Sequence, residues 1–390
     1  MVDMPFDTHA HLDGLATAVE KRMAALRSQP LTPIPLVEGL PPLPESWLQT
    51  AALHNELERY AAEGFDANRQ CEPYHPLGAY VRFDTVSFEP SASLQIEDSG
   101  LVRVAYKHLT ALQTNAVTQA EYALHCYSKR IYASQHPNQS EAEYTLRFLH
   151  AAQALLTLGG EDGAYRNAFP WRYYLIDADF QPGWTSAMAQ GEVLSVYARA
   201  YALTGNDAYL HAGEAALNYM LTPIEQGGTA STLKDFAPHV PELANQLFLE
   251  EYVAKPYPYT LNGYLSALIG LYDWAMVTGN ATAENAFMEG CRSLQLVLPY
   301  FDFGGLTAYD LGYLTYGAAP KFSAHYHKVH VFLLHAIHSM VPQCGFNRTE
   351  KAWAAYPQLY KLQRIPKPKK RWWRVHLSQF RPLIGLPSKP

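Results

Sequence analysis

Residues 261–276, LNGYLSALIGLYDWAM, run far beyond strand length and place apolar side chains on every side of a helix. A helix with no polar face cannot meet water, so the rest of the chain has to enclose it. Thr260 stands where an N-cap belongs, after a loop marked by Pro256 and Pro258, and Gly279-Asn280 supplies the stop. Glu250, Glu251, Tyr252, Lys255, Tyr257 and Tyr259 are therefore expected to gather at the positive end of a buried helix, a place suited to anions.

The same design occurs earlier. Gln181-Pro182-Gly183-Trp184 leads into a helical pattern over residues 185–203 that stops at Thr204-Gly205-Asn206, and the second unit stops 74 residues later at Thr278-Gly279-Asn280. Each stop is followed by another helical segment, residues 208–221 and 283–298. Further helical patterns cover residues 47–62, 118–133, 141–158 and 326–340. The last is preceded by Lys321, His325, Tyr326, His327 and Lys328, so three loops rich in functional groups should converge on one face. Repeated hairpins of this length predict a mainly α fold, an α/α toroid or incomplete α/α barrel.

Strand signals are confined to residues 78–88, 93–97 and 101–105, which predict a small N-terminal β element bordered by Tyr74, His75, Arg82 and Asp84. Six prolines in residues 29–45 read as an extended arm. The expected division is an arm and β element over 1–106, the toroid over 107–360, and a basic tail over 361–390. That tail holds nine Lys or Arg and no Asp or Glu, leaving 21 of the 30 basic residues against 36 acidic ones elsewhere, a net charge of −15. Its contact with an anionic polymer or a membrane surface is one reading, and a solvated tail with Trp372 and Trp373 packed back on the body is the other. A second copy of the chain is a further candidate partner, and nothing points to nucleic acid. The absence of a signal-peptide-like start or a membrane-spanning run places the chain, as an expectation, in the cytoplasm or peripheral to a membrane.

Several chemistries lack their motifs. His9 and His11 imitate a His-x-His metal pair, but a helical pattern over residues 16–27 follows instead of βα units. His325, His327 and His330 lack the His-Glu-x-x-His spacing, and Cys71, Cys126, Cys291 and Cys344 form no CxxC pair, so reduced core cysteines and no metal are expected. There is no glycine-rich phosphate loop, dinucleotide fingerprint or Gly-x-Ser-x-Gly elbow. No cofactor is expected, and chemistry must come from acid and base groups. Many of the 27 tyrosines lie in the predicted loops, a composition that suits sugar binding as well as packing. Tyr252, Tyr309 and Tyr326 stand out by their charged neighbours.

Several separate motifs now come together. Trp184 with Gln190-Gly191, Glu250-Glu251-Tyr252 with Leu261-Asn262-Gly263, residues 268–273, Tyr309-Asp310-Leu311, Ala319-Pro320 and Tyr326-His327-x-x-His330 together resemble the D-glucuronyl C5-epimerases, which convert glucuronate to iduronate in heparosan-type polysaccharides. The resemblance spans roughly residues 107–360. It implies a C-terminal α/α barrel preceded by β structure, an anionic uronate polysaccharide as substrate, and Tyr252, Tyr309 and Tyr326 as catalytic tyrosines with Glu251 beside the first. Trp184, Gln190, Glu250, Lys255, Asn262, Arg172, Asp310, Lys321 and His327 would hold substrate. One departure is Gly312-Tyr313, where the family commonly has an arginine for the uronate carboxylate, which leaves Arg166, Arg172, Lys255 and Lys321 as candidate cations. C5–H next to a carboxylate is weakly acidic, so a base on one face and an acid on the other are needed, with the phenol pKa lowered by a nearby Lys or His. A uronate lyase sharing the first step, a helical glycoside hydrolase built on Glu250 or Glu251 with Asp310, and a non-catalytic sugar-binding toroid remain as alternatives.

Overall fold

The computed structural model describes residues 8–30, 51–63, 73–81, 88–135, 140–238 and 240–362. Helices α1 (Thr8–Arg27) and α2 (Ala51–Glu63) precede an antiparallel ribbon of β1 (Leu94–Ile96) and β2 (Val102–Val104), in which Gln95 faces Arg103. Helical hairpins follow: α3 (Ala116–Tyr132) with α4 (Glu141–Leu158), and α5 (Ala187–Thr204) with α6 (Asp207–Leu221). A second ribbon, β3 (Ala230–Thr232) with β4 (Leu247–Leu249), leads into α7 (Leu261–Thr278) and α8 (Ala281–Phe301), then the short α9 (Gly312–Thr315) and the last pair, α10 (Ala324–Met340) and α11 (Asn347–Leu362).

The first helix of each hairpin packs on the first helix of the next, α3 on α5, α5 on α7 and α7 on α10, while α4, α6, α8 and α11 cover them from outside. The result is a mainly α, incomplete α/α toroid whose centre is α7, where every residue from Leu261 to Val277 is buried. Gly191 and Gly270 let α5 and α7 touch backbone to backbone: a Cβ on Gly270 would lie 2.0 Å from the Gly191 carbonyl oxygen. Between α3 and α10, residues 73–81 close the wall around a cavity of about 160 Å³.

The repeated Thr-Gly-Asn has a mechanical explanation. Gly205 and Gly279 end α5 and α7 in the left-handed region, at φ 62° and 74°. Asn206 and Asn280 then accept from Ala208 N and Ala283 N, each at 2.9 Å, and so start α6 and α8. Across the far ends of the inner helices lies α1. Its Arg22 donates to the carbonyls of Met276 and Val277 at 2.7 and 2.9 Å, and Arg27 to that of Ser339 at 3.1 Å, satisfying the last carbonyls of α7 and α10.

Two expectations change. Residues 78–81 form no strand, because Gly78 N closes a turn on His75 O at 2.9 Å and Tyr80 N docks on Ser128 Oγ of α3 at 3.0 Å; residues 82–87, with Arg82 and Asp84, lie outside the described residues. Among the described residues of this region the β structure is the 94–104 ribbon with the flanking bridges Ser91 to Leu94 and Val104 to Gln113. Thr260 holds the N-cap position of α7 but makes no side-chain cap bond: the first amide of that helix goes to Tyr309 O at 3.1 Å, and the Gly263 amide, which a cap would engage, goes to the Glu251 carboxylate. The helix expected over residues 47–62 is observed as α2 from Ala51, and residues 47–50 lie outside the described residues. Most of the proline-rich arm, Cys71 and the tail from 363 onward lie outside the described residues, and among those described no helix is long and apolar enough to cross a membrane.

Deep between α5 and α7, Arg199 and Asp273 form a fully buried ion pair at 2.6 Å, and Tyr74 OH donates to the same carboxylate at 2.7 Å. Removing one partner leaves a bare charge in a dry interior. Arg199→Met is expected to lower the unfolding free energy by about 3–5 kcal/mol, read from denaturant midpoints, whereas a change under about 1 kcal/mol would show the pair to be dispensable.

Candidate functional site

The N-terminal ends of the inner helices share one face because their loops are bonded to one another. Ala187 N, which starts α5, donates to Glu250 O at 2.9 Å; Leu261 N, which starts α7, donates to Tyr309 O at 3.1 Å; and Tyr309 N donates to Lys321 O at 2.8 Å just before α10. The β3–β4 ribbon delivers Glu250 and Glu251 to this junction. Gly263 admits the second of them, since a Cβ there would stand 2.5 Å from Glu251 Cβ.

Five side chains meet here. Glu251 Oε2 accepts from Asn262 Nδ2 at 2.9 Å and Oε1 from Tyr309 OH at 3.3 Å, and Tyr309 OH lies 3.4 Å from Tyr252 OH. Tyr326 inclines across Tyr309 with ring centroids 4.5 Å apart. Tyr309 is buried, whereas Tyr252 and Tyr326 are half-buried. Tyr252 stacks on Tyr173 at 4.2 Å, and Tyr173 and Tyr174 both donate to Asp310 Oδ2, at 2.8 and 2.6 Å. Lys321 Nζ sits 4.2 Å above the Tyr174 ring and 4.6 Å above that of Tyr309.

Burial dominates the electrostatics. It pushes the Glu251 carboxyl up to about 7 against the pull of its hydrogen bonds from Tyr252 and Tyr309, and the Glu250 carboxyl up to about 8. Tyr252 and Tyr309 are raised well above the ordinary phenol value, first by burial and then by the Glu251 charge. The expectation of phenols activated by a neighbouring cation is therefore reversed, and Glu251 is the group poised near neutrality. Burial also lowers the Lys321 ammonium.

The four candidate cations differ. Arg166 is paired with Asp162 at 2.5 Å and Arg172 with Asp179 at 3.1 Å, and Lys255 is exposed 3.8 Å from Glu225. Lys321 has no carboxylate within ion-pair distance among the described residues and lies at the tyrosines. Asn262 and Asp310 are in the cluster, and Trp184 stands beside Phe180 at its edge. Gln190, Glu250 and His327 are fully buried and otherwise engaged. Gln190 bonds Tyr165 N, Gly163 O and Ala216 O; Glu250 accepts from Ser231 and Tyr259; His327 lies between Thr307 and the Trp353 carbonyl. These are scaffold contacts. His330 shares the Thr307 hydroxyl at 2.7 Å, and no metal-binding group of three or more His, Cys, Asp or Glu occurs among the described residues.

Sequence reasoning passed over Tyr173, Tyr174 and Phe180. Their signal was the aromatic density of residues 169–184, which carries no helical or strand period. Glu192 was missed too: it is fully buried on α5 with neither carboxylate oxygen hydrogen-bonded, and burial raises it well above the ordinary carboxylate range.

The family described as D-glucuronyl C5-epimerase C-terminus matches residues 160–355, which hold the whole cluster. A D-glucuronyl C5-epimerase of Caenorhabditis elegans is 34% identical over 188 residues, covering 45% of this chain and 29% of that protein. An uncharacterized protein of Methanocaldococcus jannaschii is 28% identical over 224 residues, covering 55% of this chain and 69% of that one. The chain thus spans less than a third of the length of the nematode relative it matches.

Burial of Glu250 has a measurable consequence. Its folded pKa of about 8 lies above the ordinary 4.5, so the folded state holds a proton that the unfolded chain releases. That contribution is fully present below about pH 4.5 and is lost as pH rises through about 8. Glu250→Gln is expected to flatten the decline of melting temperature across that window, and an unchanged slope in differential scanning calorimetry would contradict a neutral Glu250.

Proposed function

Because this chain belongs to the family of D-glucuronyl C5-epimerase C-terminal domains, we propose that it inverts C5 of D-glucuronate residues to L-iduronate within a heparosan- or heparan-type polysaccharide. The observation that carries the reading is the hydrogen-bonded series Glu251, Tyr309, Tyr252, with Lys321 over the Tyr309 ring.

The phenols are too weakly acidic to act as resident phenolates, so proton removal is concerted. As the C5 proton passes to the oxygen of Tyr309 or Tyr252, the phenolic proton passes to Glu251, which enters the cycle ionised. The C5 electron pair spreads into the adjacent carboxylate, where the Lys321 ammonium and the phenolic O–H groups offset the added charge. Two groups acting on opposite faces, each about 3 Å from C5, stand about 6 Å apart. Tyr252 and Tyr309 hydroxyls, at 3.4 Å, therefore serve one face together. Tyr326 lies within hydrogen-bonding reach of Tyr309 and so shares this face, where it relays protons to and from the pair, and the proton returned to the opposite face of C5 comes from a group outside these three phenols. Asp310, fixed by Tyr173 and Tyr174, braces the ring that stacks on Tyr252.

Incubation with heparosan oligosaccharides in deuterated water should place deuterium at C5 of internal uronates and yield iduronate. Unsaturated uronate ends would mean a lyase, and shortened saturated chains a hydrolase. Tyr309→Phe should keep the fold and lower exchange about 10²–10⁴-fold; near-wild-type exchange would remove Tyr309 from the set. Since Glu251 acts ionised, kcat/KM should rise with pH through about 7, and Glu251→Gln should abolish that rise. Lys321→Ala should raise KM for uronate chains, and an unchanged KM would exclude it as the carboxylate-binding cation.

A further inference from the structure

Tyr252 begins a row of rings that leads away from the proposed catalytic centre. Phe180 lies parallel to it at 6.3 Å, Trp184 follows Phe180 at 6.1 Å, Trp171 stacks on Trp184 at 6.1 Å, and His108 meets Trp171 at 5.7 Å. Phe180, Trp184 and Trp171 are half-buried and His108 is exposed, so the row is open to solvent along its length. It starts on the toroid and ends just past the β1–β2 ribbon.

The row is built rigidly. Trp184 Nε1 donates to Phe169 O at 2.9 Å, and Trp171 and Phe180 exchange both backbone hydrogen bonds, at 3.0 and 2.9 Å. The Trp171 indole N–H has no hydrogen-bond partner among the described residues. The row itself contains no Lys, Arg, Asp or Glu, and Arg172 beside it is paired with Asp179 at 3.1 Å. At its outer end Lys107 is exposed, with no carboxylate partner among the described residues.

We propose that this row is the subsite for the sugar next to the reacting uronate in the same chain. The apolar face of an uncharged pyranose stacks on Trp184 and Trp171, a sugar hydroxyl accepts from the Trp171 N–H, and Lys107 meets the next carboxylate along the polymer. The proposal rests on the epimerase reading and deepens it: the order of uronate, neutral sugar and uronate is recognised by tyrosines, a neutral aromatic row and a lysine in turn. Catalysis on a chain then gains affinity that a single uronate lacks.

The test compares C5 exchange on a short heparosan oligosaccharide with a single internal uronate and on one extended by several residues. Trp171→Leu keeps apolar bulk but removes the stacking face and the N–H. It should raise KM for the long substrate roughly three- to tenfold at unchanged kcat, with less effect on the short one, and Trp171→Phe should recover part of the loss. Lys107→Ala, at an exposed position, should raise KM for the long substrate only and flatten its salt dependence. Unchanged KM for the long substrate in both Trp171→Leu and Lys107→Ala, with wild-type melting temperatures, overturns the subsite. Should Trp171→Leu fail to fold, Lys107→Ala and Trp171→Phe decide alone, with wild-type length dependence in both overturning it. Should the wild-type chain show no C5 exchange, the epimerase reading fails separately. The row is then judged by calorimetric binding of the same oligosaccharides, where equal affinity of the wild type and Trp171→Leu overturns it.

Discussion

The site depends on where the first amides of the inner helices find their acceptors. A helix start leaves backbone N–H groups without partners, and in a buried ring of helices water cannot supply them. Here α5 takes the carbonyl of Glu250 and α7 that of Tyr309. Each bond does two things: it closes a helix end, and it fixes the backbone of a residue in or beside the tyrosine cluster to a neighbouring element. The positions of Glu251 and Tyr309 are therefore set by the same hydrogen bonds that hold the toroid together. Neither Ser186 nor Thr260 adds a side-chain cap at these two starts, so the contacts to the neighbouring loops carry the helix ends.

This explains which parts of the structure the sequence revealed. Helices α4 and α7 are legible because their patterns are long, and the Thr-Gly-Asn stops are legible because a left-handed glycine and an asparagine cap are chemically necessary at such a corner. Convergence of the three loops follows from hairpin repetition. What stayed hidden is set by contacts distant in sequence: the docking of Tyr80 on Ser128 in place of a strand, the capping of α7 by Tyr309, and the inward scaffold contacts of Gln190 and His327. Residue type alone does not separate a glutamine facing substrate from one whose three bonds go to backbone.

The cluster itself was partly legible. Tyr252, Tyr309, Tyr326 and Glu251 come from three loops and do meet, whereas Tyr173, Tyr174 and Asp310 form a supporting layer that no local pattern announced. Their electrostatics were not legible at all. In sequence, a lysine near a tyrosine suggests a lowered phenol pKa; in the fold, burial of both rings and the charge of Glu251 outweigh the one ammonium nearby. The functional weight shifts accordingly from phenolate to carboxylate.

The same burial bears on the polyanionic substrate proposed for so acidic a body. Counted formally, the chain outside its tail carries −15, Glu250, Glu251 and Asp310 lie at the tyrosine cluster, and Glu192 is buried on α5. Burial raises all four, Glu250 to about 8 and Glu251 to about 7, while the two phenolic donors pull the Asp310 carboxyl back down and favour its charged form. Near neutrality the charge of Glu250 and Glu251 is thus reduced, and among the described residues Lys321 is the cation that stands over the rings. In the proposed reaction a substrate carboxylate meets aromatic surface and one ammonium in a low-dielectric setting, where a single charge acts more strongly than in water. Under that mechanism Glu251 becomes a better base as it ionises but also repels the substrate carboxylate. Binding and proton removal therefore oppose one another on the same side chain, and a carboxyl poised near 7 is the compromise that lets both proceed.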